Sequence, residues 1–190
     1  MYEGDFINSK SSSDGLIKSH DEGEESSGSS SNSAELGMTY EGEWKADKKH
    51  GEGVEIMDDG CIYNGNFRDG LRNGQGTYTF SDGSVFTGNW VDNKMHGKGS
   101  YEFSSGKHYE GEFSHNKMQG KGKMTFKDGE TYVGDFQNDM KDGFGIFTWT
   151  NEVTYEGGWK NNKQHGKGQI VSNSGKVREG EWINGKRMKD

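Results

Sequence analysis

The chain has no proline and a single cysteine, Cys61, in 190 residues. One cysteine excludes an internal disulfide and suits a reducing compartment. Hydrophobic residues make up only 27 % of the sequence, too few for a large closed core. No stretch approaches the roughly 18 consecutive apolar residues of a membrane-spanning helix. The opening MYEGDFINSK lacks the apolar run of a signal peptide. These absences together predict a cytoplasmic location. A basic excess is missing too, since the formal net charge is −8. Residues 1–39 carry 2 Lys/Arg against 8 Asp/Glu, whereas residues 40–190 carry 21 against 23. A nearly neutral array offers no field for a phosphate backbone, so nucleic acid is not expected as a partner. No segment has a helical apolar period.

What the chain has in abundance is glycine, with 32 residues, and aromatics, at 12 %. Low hydrophobicity with 28 % charged residues would by itself suggest disorder. The placement of the glycines argues otherwise. An aromatic-x-Gly-x-aromatic element opens at Tyr40, Tyr63, Phe86, Tyr109, Tyr132 and Tyr155, each step 23 residues, and Arg178 takes the same place in the last copy. Of the 32 glycines, 24 fall on four fixed positions of this unit, so they are structural and not linker glycines. A fixed period of this kind sets the whole fold.

Each unit reads as a β-hairpin. Numbering the opening aromatic as position 1, positions 1, 3 and 5 are aromatic, Gly, aromatic, and their neighbours are mostly Glu, Asn or Asp. That alternation makes a strand with one apolar face. Positions 14, 16 and 18 repeat it, as in Gly76, Tyr78, Phe80 and in Gly99, Tyr101, Phe103. The closing turns, such as Ser81-Asp82-Gly83, fit three-residue loops with Gly in the left-handed region. That loop predicts a register in which Tyr78 faces Phe86, Gly76 faces Gly88 and Gly74 faces Trp90. If the loop at positions 6–11 spans six residues, the same pairing continues across it. The result is an all-β fold, a single-layer antiparallel β-meander with one aromatic-and-glycine face.

The unit YEGEWKADKKHGEGVEIMDDGCI, residues 40–62, resembles the MORN repeat (membrane occupation and recognition nexus) at nearly every defining position. The resemblance covers residues 40–182 and, more weakly, residues 2–24. The expected organisation is a degenerate first repeat over 2–24, a disordered Ser- and acid-rich insertion over 25–39, six repeats over 40–177, and a terminal strand with a basic cap over 178–190. Glu55, where other units carry an aromatic, suggests a locally altered face at that end. The resemblance implies a non-enzymatic module that captures helical or extended protein segments in a groove, sometimes dimerising end to end, in cytoskeletal, ciliary or membrane-cortex settings.

Several features invite chemistry. His50, His96 and His165 share one repeat position, but equivalent positions lie two strands apart, roughly 9–10 Å, whereas zinc ligands converge at about 2 Å. Asn73, Gln119 and Asp142 fill the same slot, which predicts a hydrogen-bonding role there and no metal. The Gly-x-Gly elements are flanked by strands on both sides, not by the helix N-terminus that a phosphate loop requires. No catalytic constellation recurs, so neither an enzyme nor a cofactor is expected. A cation row, Lys48, Lys49, Arg72, Lys94, Lys117, Lys141 and Lys163, is expected along one edge. Lys94, Lys117, Lys141 and Lys163 are the candidates for an anionic phospholipid headgroup. The leading candidate is the aromatic trough of Trp44, Tyr63, Phe67, Phe86, Trp90, Tyr109, Phe113, Tyr132, Phe136, Tyr155 and Trp159. In a single-layer sheet one side of these rings is expected to face outward and bind a partner protein segment. Homodimerisation through the terminal strands is a further alternative.

Overall fold

The computed structural model describes residues 38–189. These form 14 strands in one antiparallel sheet whose spatial order is the chain order, and no helix occurs among the described residues. The first strand of each hairpin has seven residues: β1 Thr39–Lys45, β3 Ile62–Arg68, β5 Val85–Val91, β7 His108–Ser114, β9 Thr131–Gln137, β11 Thr154–Lys160 and β13 Val177–Ile183. The second has nine: β2 Lys48–Ile56, β4 Leu71–Thr79, β6 Lys94–Glu102, β8 Lys117–Thr125, β10 Met140–Thr148 and β12 Lys163–Val171. A two-residue β14, Lys186–Arg187, ends the sheet. The expectations for residues 2–24 and for 25–37 lie outside the described residues.

The register between hairpins is the one the turns predict. Tyr78 pairs with Phe86, Gly76 with Gly88 and Gly74 with Trp90. Within the hairpin the same theme continues, with Tyr63 opposite Tyr78 and Gly65 opposite Gly76. The connecting loop, however, is not six residues long. Arg68 pairs with Leu71, so the turn is the two residues Asp69-Gly70, and the surplus is absorbed in a bulge between Gly65 and Phe67 and their partners. Equivalent two-residue turns stand at 46–47, 92–93, 115–116, 138–139, 161–162 and 184–185, each with both residues at positive φ. That is the backbone of a type I′ turn, whose twist suits a hairpin and which favours Asn, Asp and Gly. The Asp-Gly and Asn-Gly pairs at 69–70 and 184–185 carried that signal in the sequence. The second of them turns the expected polar tail into one more strand, β14.

Each two-residue turn from 69–70 onward also docks on the preceding repeat. The Asn116 N–H donates to the Met95 carbonyl at 3.1 Å, and its side-chain Oδ1 accepts the Met95 N–H at 2.8 Å. Asn93, Asp139 and Asn162 make the same acceptor contact, at 2.8 Å, to the backbone N–H groups of Arg72, Met118 and Lys141. Left-handed backbone is common to this position, and where Asn or Asp stands a short side-chain acceptor adds a second bond that Gly70 and Gly185 do without. An Asn116→Gly protein keeps the first and loses the second. It is expected to lose about 1 kcal/mol of stability, read as a lower urea midpoint. An unchanged midpoint would show that the side chain contributes nothing to the joint.

The loops between repeats are the three-residue kind. The Phe80 N–H donates to the Ser84 carbonyl at 2.9 Å, the Gly83 N–H donates back to the Phe80 carbonyl at 2.9 Å, and Gly83 has φ +85°. Where Asn151-Glu152 replaces Asp-Gly, the loop keeps this form, with Glu152 held at φ +64°.

Candidate partner-binding face

The aromatic face is built from one repeated contact. The position-1 ring lies over the paired glycines at positions 3 and 14, and where it is a tyrosine its hydroxyl donates to the carbonyl of position 4. Tyr63, Tyr109, Tyr132 and Tyr155 do so to Asn66, Glu112, Asp135 and Gly158 at 2.9–3.0 Å. Each such ring meets the position-5 ring of its own repeat edge to face, and also that of the next. Tyr63 lies 5.1 Å from Phe67 and 5.3 Å from Trp90, and Tyr109 lies 5.1 Å from Phe113 and 4.9 Å from Phe136. The same pairing links Trp44 to Tyr40 at one end and Tyr155 to Trp182 at the other, so the ladder runs unbroken through the described repeats. Edge-to-face pairs at this separation are favourable by about 0.5–1.5 kcal/mol each beyond area burial. The Trp90 and Trp159 Nε1–H groups are used as well, donating to the Gly76 and Gly145 carbonyls. Burial pushes the Tyr63 and Tyr155 phenols up to about 12 and raises those of Tyr109 and Tyr132.

This packing corrects the expectation that the trough rings present a free side. Tyr63, Phe67, Phe86, Trp90, Tyr109, Phe113, Tyr132, Phe136, Tyr155 and Trp159 are only 0–4 % exposed. Trp44 alone of the eleven is open, at 59 %, because no described repeat precedes it to supply the covering ring. Beyond β1, the accessible rings on this face lie on the second strands and their turns. Phe80, Tyr101, Phe103, Phe126 and Trp149 are half-buried and pack against the ladder. The alternation placed Tyr101, Phe80 and Phe103 on this face but did not rank their exposure. The position-18 rings sit at the strand end, beside the turns, and so have neighbours on one side only.

The opposite margin of the face is lined by position 10, and here a second expectation fails. Lys94, Lys117 and Lys163 are exposed, but they occupy position 9. Lys49, Arg72 and Lys141 occupy position 10, and one residue along a strand reverses the face. Lys141 is therefore no part of a lysine edge. It is 7 % exposed, with its Nζ 4.5 Å from the Trp159 ring centre and 4.8 Å from that of Phe147. Burial pulls its pKa down to about 8, with the Glu130 carboxylate opposing the shift. Glu55 is explained by the same row. It points onto the aromatic face at the ordinary register, opposite Tyr63, where Arg72 donates to it at 2.8 Å and Lys49 closes a second ion pair. Burial would push its carboxyl up, but hydrogen bonds from Lys49 and Arg72 outweigh this and hold it below the usual range. The face is not shifted there; a buried ion triad stands in for the missing ring.

At the last repeat Arg178 supplies no ring, and the Arg187 guanidinium lies over Gly180 instead, where an added Cβ would meet its Nε at 2.6 Å. Position 11 links repeats through their turns. Gln119 accepts the Asn138 N–H at 3.2 Å, Asp142 accepts the Asn161 N–H at 3.1 Å, and the Asn73 amide donates to Asp92 at 3.1 Å. His50 Nδ1 stands 4.0 Å from the Asp69 carboxylate in the same arrangement. No group of three or more metal-ligating side chains occurs among the described residues. No helix among them is long and apolar enough to cross a membrane.

Among solved structures, the TCP10 domain of Danio rerio CPAP in complex with a peptide of STIL aligns at 12 % identity and a TM-score of 0.47, covering 74 % of this chain and 64 % of that one. The Drosophila melanogaster SAS-4 (dCPAP) TCP domain, in complex with a proline-rich motif of Ana2, aligns at 12 % identity and a TM-score of 0.44, covering 81 % and 96 %. The chain thus spans less than two thirds of the first of these, and at such scores neither bears on binding. No curated protein matches the sequence. The model of the MORN repeat, by contrast, matches residues 40–62, 63–85, 86–108, 109–131, 132–153, 155–177 and 179–188. This repeat is a non-enzymatic module that points to protein or membrane interaction. With well over half of its residues in those matches, the chain belongs to the MORN-repeat family.

Proposed function

We propose that the protein is a cytoplasmic, non-enzymatic scaffold that binds a partner protein segment, helical or extended, along the aromatic face. One observation carries this reading: a row of half-buried rings, Phe80, Tyr101, Phe103, Phe126 and Trp149, stands beside the buried ladder with no second layer from the described residues over it. Aromatic side chains on an accessible apolar strip are the usual anchors of a protein interface. In this reading the ladder rings, from Tyr63 to Trp159, form the rigid floor, and the second-strand row makes first contact. Trp44 extends the floor at the exposed end.

A displayed peptide library selected on the full chain tests the proposal. Peptides enriched on the wild type are expected to bind a Phe103→Ser/Phe126→Ser protein about tenfold more weakly or worse. They should bind a Lys94→Glu/Lys117→Glu/Lys163→Glu protein as before. Both substituted rings are half-buried, so the ladder stays intact, which circular dichroism checks. Peptides indifferent to the ring changes, or no enrichment at all, would overturn the reading. The three exposed lysines carry the phospholipid alternative. Salt-sensitive binding of phosphatidylserine vesicles, abolished by the triple charge reversal, would favour it.

A further inference from the structure

The face opposite the rings is mostly polar and charged, with exposed apolar residues such as Ile56, Ile62 and Val177 toward its ends and a three-residue cluster on β9 and β10. Val133, Phe144 and Ile146 are 50 %, 53 % and 39 % exposed. They form one patch. Ile146 pairs with Val133 across β9 and β10, and Phe144 lies two residues before Ile146 on the same side. Its partner on β11 is Gly158, which leaves the ring unflanked there. The equivalent residues of the preceding repeat are Glu110, Lys121 and Lys123.

Three pairs of residues around the patch reverse sign from one side to the other. On the β8 side Val133 pairs with Lys123, and on the β11 side Ile146 pairs with Glu156. Further out, Lys98 pairs with Glu112 across β6 and β7, and Lys167 pairs with Glu181 across β12 and β13. Read outward from the β9–β10 line, Glu112 on one side corresponds to Lys167 on the other, and Lys98 to Glu181.

We propose that this patch docks a second copy of the chain about a two-fold axis parallel to the strands, between β9 and β10. Such an axis lays β8 over β11 of the second copy, β7 over β12 and β6 over β13. Val133 then meets Ile146 of the second copy, and the two Phe144 rings lie side by side across the axis. Lys123 faces Glu156, Glu112 faces Lys167, and Lys98 faces Glu181. Two-fold contacts need a self-complementary surface, and opposite charge at corresponding places supplies it while fixing the register. The two aromatic faces point away from each other, so the dimer is independent of the scaffold reading.

Sedimentation equilibrium of the full chain is the test. The wild type is expected to show a reversible monomer–dimer equilibrium and a Phe144→Lys/Ile146→Lys protein to remain monomeric. That variant reproduces the Lys-Gly-Lys of residues 121–123, a sequence the fold already holds in the equivalent strand. Lys123→Glu should weaken association about tenfold, and Lys123→Glu/Glu156→Lys should restore it. A wild type that stays monomeric overturns the proposal. So does a Phe144→Lys/Ile146→Lys protein that dimerises as well as the wild type, or a double charge swap that fails to restore association.

Discussion

A Gly134→Ala protein is expected to lose about 3 kcal/mol of stability or more, the upper part of the range for overpacked sites. Gly134 faces Gly145 across the hairpin. A Cβ on it would stand 2.5 Å from the Gly145 Cα, 2.6 Å from the Phe144 carbonyl oxygen and 2.6 Å from the Tyr132 hydroxyl. The first two are backbone atoms and cannot rotate aside, so the strands must part or the tyrosine must leave its place. The backbone of Gly134 is ordinary extended strand, which makes the cost steric. Gly129→Ala is the matched control. Its φ is +94° and nothing lies within 4 Å of its added Cβ, so it should cost only the roughly 1–2 kcal/mol of a left-handed alanine. Because each repeat contacts only its neighbours, Gly134→Ala should also broaden urea unfolding or split it in two. If the two substitutions cost the same, the glycine pairs are not there to admit the ring.

Lys141→Met should stabilise the protein by about 2 kcal/mol at pH 7. Met95 and Met118 hold the same place in other repeats, so the substitution fits the fold. The lysine's pKa falls from 10.5 to about 8 in the native state, chiefly through burial. Below pH 8 both native and unfolded chains hold the proton, and the full cost of burying the charge is present. Between about pH 8 and 10.5 the native chain has released a proton that the unfolded chain keeps, so stability rises with pH, by up to roughly 3 kcal/mol. The attraction of the ammonium for the surrounding rings offsets part of what methionine relieves. The tyrosines act in the opposite sense. Tyr63 and Tyr155 hold their protons to about 12 in the native state, whereas an unfolded tyrosine ionises near 10, so stability falls above pH 10. Wild-type stability should therefore peak near pH 10, and the rise from pH 8 should vanish in Lys141→Met. A rise that persists in the variant would assign it to another group.

The period and the alternation made the strand order, the inter-repeat register and the ring face legible in the sequence, because each is repeated in every unit. What escaped depended on one residue's difference or on neighbours in space. Lys141 and Lys163 look alike in a row of cations, yet they differ by one position and hence by face. A six-residue loop was allowed for at positions 6–11, when Asp69-Gly70 and Asn184-Gly185 already named a two-residue turn. Burial of Trp90 follows from a tyrosine one repeat earlier, which no single unit displays. The apolar patch at Val133, Phe144 and Ile146 hides within an alternation that is otherwise polar, since three residues do not disturb the period.

The joint made by Asn116 with Met95 has the same form at Asn93, Asp139 and Asn162. Every such joint has one direction, with the later repeat supplying the turn N–H and the side-chain oxygen and the earlier one supplying the backbone carbonyl and N–H that they meet. A copy of the unit inserted anywhere among these repeats would find a matching plug before it and a matching socket behind it. Gene duplication can thus lengthen the array in whole steps of two strands, roughly 9–10 Å each, without redesigning a contact. The sheet is in this sense a ruler whose graduation is the repeat, and its length is set by how many times that unit was copied.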